Sequence, residues 1–114
     1  MPVKLINTFI VPKEQEEEFL KRWKETTRHF RTKNSGFIET NLHRNTGIGN
    51  PTFTFINVAL WDSAEAWKAT HDQYKPEEYD IPGVKGHPSI FEVIVNVVNE
   101  QHPQHTNQAG TTHA

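Results

Sequence analysis

The 114-residue sequence contains no cysteine. Disulfides, thiolate metal sites, iron–sulfur clusters and cysteine nucleophiles are thereby excluded. A surplus of either charge is also missing: 12 Lys+Arg stand against 14 Asp+Glu, a formal net charge of −2. A nucleic-acid module would need a basic excess to release phosphate counterions, so no nucleic-acid partner is expected. Apolar runs extend for only a few residues, too short for a membrane-spanning helix. The N-terminus, Met1-Pro2-Val3-Lys4, opens on too short an apolar stretch for a signal peptide. These features predict a small cytoplasmic protein without a membrane partner. There is no phosphate-binding glycine loop, nucleotide fingerprint, HExxH motif or carboxylate–histidine spacing for a metal, and no serine nucleophile elbow. Any redox chemistry must then draw on the electrons of the substrate itself. Hydrophobic residues make up only 34% of the chain, against the ~45–50% apolar content (counting Gly) of ordinary domains.

Part of that shortage sits in one place. Residues 100–114, EQHPQHTNQAGTTHA, contain no Val, Ile, Leu, Phe, Trp or Tyr. Such a segment buries too little apolar surface to offset its ordering entropy and reads as a flexible polar tail. His102, His105 and His113 fall in it, but their spacing fits no closed metal site. The folded unit is expected over residues 2–99, with no repeat or linker dividing it.

Along that unit, VKLINTFIV (3–11) reads as a β-branched, apolar strand ended by Pro12. Glu14, Glu16, Glu17 and Glu18 then precede Lys21, Arg22, Lys24, Arg28, Arg31 and Lys33, the charge order that complements a helix dipole. Glu17–Lys21 and Glu18–Arg22 are favourable i,i+4 pairs. Phe19, Leu20, Trp23, Thr27 and Phe30 form the apolar stripe, so the charges read as the solvated face of a helix. Asn34-Ser35-Gly36 is a stop signal. FIETNLHRNT (37–46) and TFTFINVALW (52–61) are strands joined across Gly47, Gly49, Asn50 and Pro51. Asp62-Ser63-Ala64-Glu65 reads as a capping box with Asp62 as the cap, opening a second helix that carries Ala64, Trp67, His71 and Tyr74. KPEEYDIPGVKGHP (75–88) reads as a loop, and SIFEVIVNVV (89–98) as the last strand. The order βαββαβ predicts a ferredoxin-like α+β fold, a four-stranded antiparallel sheet with both helices on one face.

Both faces of that sheet are apolar. Leu5 and Phe9 oppose Ile6 and Ile10; Phe55, Ala59 and Trp61 oppose Ile56, Val58 and Leu60; Phe91, Val93 and Val95 oppose Ile90 and Ile94. Two helices cover only one face, so a second copy of the chain is expected on the other, forming a homodimer through the sheet faces. Asn7 shares a face with Leu5 and Phe9, and Asn57 with Phe55 and Trp61. A buried amide left unpaired costs about 1–3 kcal/mol, which either a backbone partner or a polar ligand group in a cavity would offset. Asn57 and Trp61 point to the same side about 13 Å apart, from ~3.3 Å per residue, a span that suits a flat multi-ring ligand. Trp67 and His71 share a helix face, where they serve either as core and helix-end residues or as cavity wall and proton carrier. His87 follows a loop long enough to act as a lid.

Residues 4–98 resemble the antibiotic biosynthesis monooxygenase domain family of dimeric α+β barrels. The likeness rests on INTFIVPKEQEEEFLKRW (6–23), SGFIETNLHR (35–44), FTFINVALWDSAEAW (53–67) and HPSIFEVI (87–94), with N-V-A-x-W-x-S the most specific phrase. The resemblance implies a homodimer whose sheets form a barrel, with a pocket between sheet and helices. It also implies cofactor-independent oxidation of an anthrone-like or polyketide-like aromatic substrate by O2. Asn57 and Trp61 would be the catalytic pair, with Asn7, Phe55, Trp67, His71 and His87 binding the substrate. Trp67 stands where polyketide members carry Tyr, and no arginine matches their catalytic one, leaving Lys85 as the candidate. The family also resembles heme-degrading monooxygenases. That alternative assigns Asn7, Trp67 and His71 to a heme site. A non-catalytic ligand-binding barrel is the third reading.

Overall fold

The computed structural model describes residues 2–31, 36–73 and 81–102. Strand β1 (Val3–Phe9) leads through a single 3₁₀ turn at Lys13–Gln15 into helix α1 (Glu16–Arg31). Strands β2 (Phe37–Arg44) and β3 (Phe55–Trp61), helix α2 (Ala64–His71) and strand β4 (Gly86–Phe91) follow. The sheet order is β2-β3-β1-β4, and every pairing is antiparallel. This is the expected ferredoxin-like α+β arrangement. No described helix is long and apolar enough to cross a membrane.

Helix α1 has the charge order read from the sequence, with Glu16, Glu17 and Glu18 in its first turn and Arg28, His29 and Arg31 in its last. Glu18 and Arg22 form the expected i,i+4 ion pair at 2.7 Å. The hydrogen bond from Arg22 holds the Glu18 carboxyl below its ordinary pKa. The cap of α2 differs from the expected one. Ser63, not Asp62, is the N-cap, and its Oγ accepts from the Ala66 amide at 3.0 Å. Asp62 instead stays tied to the sheet, its N–H donating to the Gly36 carbonyl at 2.8 Å. At Gly36 φ is +89°, and a Cβ there would lie 2.7 Å from the Ala66 side chain. A glycine is needed to start β2 directly beneath α2.

Strand β4 also departs from the 89–98 reading. It begins at Gly86 and ends at Phe91, which pairs with Lys4. β1 itself begins at Val3, so beyond Phe91 the sheet offers almost no neighbour. Pro88 lies inside the strand, tolerated because β4 is an edge strand and that residue need not donate to a second partner. Residues 92–99 continue outside the described sheet, with Ile94 84% and Val97 86% exposed. Ile10 and Ile38 are likewise exposed, and Ile6, Ile56, Val58 and Leu60 are only half-buried on the face turned away from the helices. Tyr74 and residues 75–80 of the expected loop, and residues 103–114 of the expected tail, lie outside the described residues.

The buried core has two parts. Val11, Phe19, Phe55 and Val84 form one cluster, and Leu5, Ala59 and Trp61 the other. The β1–β3 register explains the division. Phe9 pairs with Phe55 at one end, Leu5 with Ala59 and Val3 with Trp61 at the other, and Asn7 pairs with Asn57 between them. A polar step therefore interrupts an otherwise apolar face at mid-sheet.

Candidate functional site

That polar step forms part of the wall of a cavity of about 370 Å³ between the sheet and the two helices. The size falls in the range of small-molecule sites, ~300–1,000 Å³. β1 contributes Leu5, Asn7 and Phe9 to the wall, and β3 contributes Asn57, Ala59 and Trp61. Period-2 alternation aims these six residues to one side. Helix α1 contributes Phe19, Arg22, Trp23, Thr26, Thr27 and Phe30, and α2 contributes Trp67 and His71. Phe37 and Thr40 of β2, with Gly86 and Pro88 of β4, complete the sheet side.

Asn57 is buried, at 9% exposure. Its Oδ1 accepts a hydrogen bond from the Thr40 hydroxyl. Thr40 reaches it diagonally, since its own register partner is Ala59. Asn7 is arranged in the same way, with its Oδ1 accepting from the His87 backbone N–H at 2.6 Å. Each carboxamide thus has its oxygen engaged by the protein and its Nδ2 donors left for other partners. Gly86 makes room for the second of them. A Cβ at that position would lie 2.7 Å from Asn7 Oδ1 and 2.9 Å from the Phe9 ring. Trp61 is 1% exposed, and its Nε1–H has no hydrogen-bond partner among the described residues. Phe30 and Phe37 meet its ring edge-on at 6.1 and 5.6 Å. The wall is therefore aromatic with two carboxamides set into it, suited to a flat ligand that carries an acceptor oxygen.

The structure brings Asn7, Asn57, Trp61, Trp67 and His71 together on this wall. The rings of Trp67 and His71 lie 4.6 Å apart at 31°. Phe55 does not line the cavity. It is buried in the neighbouring cluster, stacked on Phe19 at 4.9 Å, and the Arg44 guanidinium lies over its ring at 5.4 Å. His87 is exposed and also lies outside the wall; its contribution is the backbone N–H given to Asn7. Lys85 is exposed and not a wall residue. Among the described residues, the wall also carries Arg22, expected on the solvated face of the helix. Positions 19, 22, 23, 26, 27 and 30 form one continuous i,i+3/i+4 row, so the row through Phe19 and Phe30 carries the signal for Arg22 and Thr26. Among the described residues no group of three or more His, Asp or Glu is placed to hold a metal.

The model of the family described as antibiotic biosynthesis monooxygenase matches residues 2–73. A solved structure of a candidate monooxygenase from Shewanella loihica is 32% identical, with a TM-score of 0.69, over 83% of this chain and 96% of that one. The heme-degrading protein MhuD of Mycobacterium tuberculosis, in a heme-free structure, is 28% identical with a TM-score of 0.60, over 87% and 98%. SnoaB, a cofactor-independent oxygenase from Streptomyces nogalater, is 18% identical with a TM-score of 0.67 over 86% and 98%, a likeness of fold. No curated protein sequence matches the chain.

Proposed function

Because the chain belongs to the antibiotic biosynthesis monooxygenase family, we propose that it is a cofactor-independent monooxygenase acting on a small aromatic, polyketide-like substrate with O2. The observation that carries this reading is the buried Asn57, whose oxygen is held by Thr40 and whose amide remains to donate into an aromatic cavity. Such a donor stabilises negative charge as it develops on a substrate carbonyl oxygen. In an anthrone-type substrate, loss of a proton from the ring CH2 gives a carbanion delocalised onto that oxygen. The carbanion reduces O2, and one oxygen atom bonds to the former CH2 carbon. Collapse to the quinone releases the other oxygen as water with the two hydrogens of the CH2. The electrons come from the substrate, so no protein-bound redox centre is needed. In this reading Asn57 and Trp61 touch the reacting groups, Asn7 is a second donor, and Trp67 and His71 bound the substrate. Phe55 and His87 support the wall from outside it. The test is an oxygen-electrode assay with the anthrone dithranol, in chelator and without flavin. Uptake well above the spontaneous oxidation of dithranol supports the reading, and uptake equal to it rejects the reading.

Residues 2–99 form the working unit in this account, and it works as a homodimer. The half-buried sheet face and the exposed Val93, Ile94, Val95, Val97 and Val98 support this, because so much exposed apolar surface is uncommon on monomers. Light scattering is expected to give about twice the 13.2 kDa of one chain; a single-chain mass at micromolar concentration contradicts it.

A second reading is favoured by the likeness to MhuD and by His71 on the wall. His71 is the imidazole of the described wall, and its ring is the group that would hold the iron of a heme. Bound heme would supply the iron that activates O2. This reading expects a stoichiometric Soret shift on hemin titration that His71→Ala abolishes; no shift removes it.

A further inference from the structure

We propose that Thr40 is the positioning residue that sets which end of the Asn57 carboxamide faces the cavity, and so decides whether the site offers a donor or an acceptor. This rests on the preceding reading of Asn57 as the group that meets the developing oxyanion. A carboxamide is nearly symmetric in shape, so packing alone scarcely distinguishes its oxygen from its nitrogen. A hydrogen-bond partner makes the distinction. The Thr40 hydroxyl has one proton to donate, and its nearest acceptor is Asn57 Oδ1, with the Val58 carbonyl farther off at 3.4 Å. Giving that proton to Oδ1 turns Nδ2 toward the cavity. The opposite arrangement would give the proton to Val58, let the Thr40 oxygen accept from Nδ2, and present Oδ1 to the substrate. A carbonyl oxygen facing a developing oxyanion is repulsive, so the reversed amide would oppose the reaction it now assists.

The position of Thr40 fits this task. It lies on β2, diagonal to Asn57 and opposite Ala59, and its side chain is itself part of the wall. No other described side chain hydrogen-bonds Asn57. Asn7, the neighbouring amide, has its orientation fixed by the His87 backbone N–H, which no substitution except proline removes. Thr40 is therefore the point where the donor character of the site depends on a single hydroxyl.

The experiment compares wild type, Thr40→Ser and Thr40→Val. Thr40→Val keeps the shape of the side chain and removes the hydroxyl. With dithranol, Thr40→Val is expected to lower kcat roughly tenfold while KM stays within about twofold, and Thr40→Ser to restore kcat. An equal rate in Thr40→Val, or loss without recovery in Thr40→Ser, overturns the proposal. A second measurement needs no turnover. In NOE spectra of the labelled protein, the Asn57 Hδ2 protons are expected to give stronger contacts to the wall side chains of β1 and the helices than to the Thr40 hydroxyl and Hβ. Stronger contacts from Hδ2 to Thr40 than to those side chains in wild type would place the amide the other way round and overturn the proposal. Expected NOEs with no wild-type oxidation would instead count against the monooxygenase reading and leave the role of Thr40 standing.

Discussion

Asn57→Ala is expected to lower the rate of dithranol oxidation roughly a hundredfold or more, the effect of removing one donor from an oxyanion site. The protein should nevertheless fold. Among the described residues the Asn57 side chain makes one hydrogen bond, accepting from the Thr40 hydroxyl, and that hydroxyl has the Val58 carbonyl at 3.4 Å as an alternative acceptor. The truncation also enlarges a cavity that already exists instead of opening a new one in packed core. The loss should therefore appear in kcat, with KM little changed, because the donor meets charge that exists only as the reaction proceeds. Melting temperature and sheet signal in circular dichroism serve as the control. A kcat equal to that of wild type would remove Asn57 from the chemistry.

Trp61 should separate packing from function. Trp61→Ala removes one of the two largest fully buried side chains and leaves Phe30 and Phe37 without the ring they meet edge-on. Large-to-small changes of this kind cost about 3–5 kcal/mol, against a total stability of about 5–15 kcal/mol for a typical domain. Most of the margin would be lost, and the melting temperature should fall sharply. Trp61→Phe should behave differently. It retains an aromatic ring in the same cluster and removes an N–H that is buried without a partner. An unsatisfied donor carries a penalty of about 1–3 kcal/mol, so its removal offsets part of the lost packing, and stability should change by no more than about 1.5 kcal/mol. Oxidation should still fall, by roughly tenfold, if the indole N–H meets the substrate. Thermal melts and initial rates on the same samples decide the matter. A fully active Trp61→Phe would make Trp61 a packing residue alone.

What the sequence disclosed follows from how strongly each residue breaks or keeps a pattern. Asn57 was visible because an amide interrupted the alternating apolar face of β3, and the register then set it opposite Asn7. Helix α1 was visible in its charge order. Arg22 was not, because a cation beside an apolar row carries no mark showing whether it turns outward or lines the cavity. Thr40 was hidden for a related reason. A threonine in a strand of mixed polarity satisfies β propensity wherever it points, and its link to Asn57 is a diagonal contact between two strands. The cap of α2 moved by one residue because Asp62 and Ser63 are both good caps, and the tie from Asp62 to Gly36 decides between them. Strand β4 was displaced at both ends. Gly86 and Pro88 carry loop signals that an edge strand overrides, while the alternation beyond Phe91 outlasts the neighbour available within one chain.

This cavity is proposed to insert one oxygen atom of O2 into an aromatic substrate without a cofactor. Oxidation of dithranol under isotopically labelled O2, in chelator and without flavin, tests it most directly by mass spectrometry of the quinone. The expected result is one labelled oxygen in each quinone formed by the enzyme, at a rate that Asn57→Ala depresses to near the spontaneous background. Quinone formed no faster than in the absence of protein, or enzyme-formed quinone carrying no label, would contradict the account.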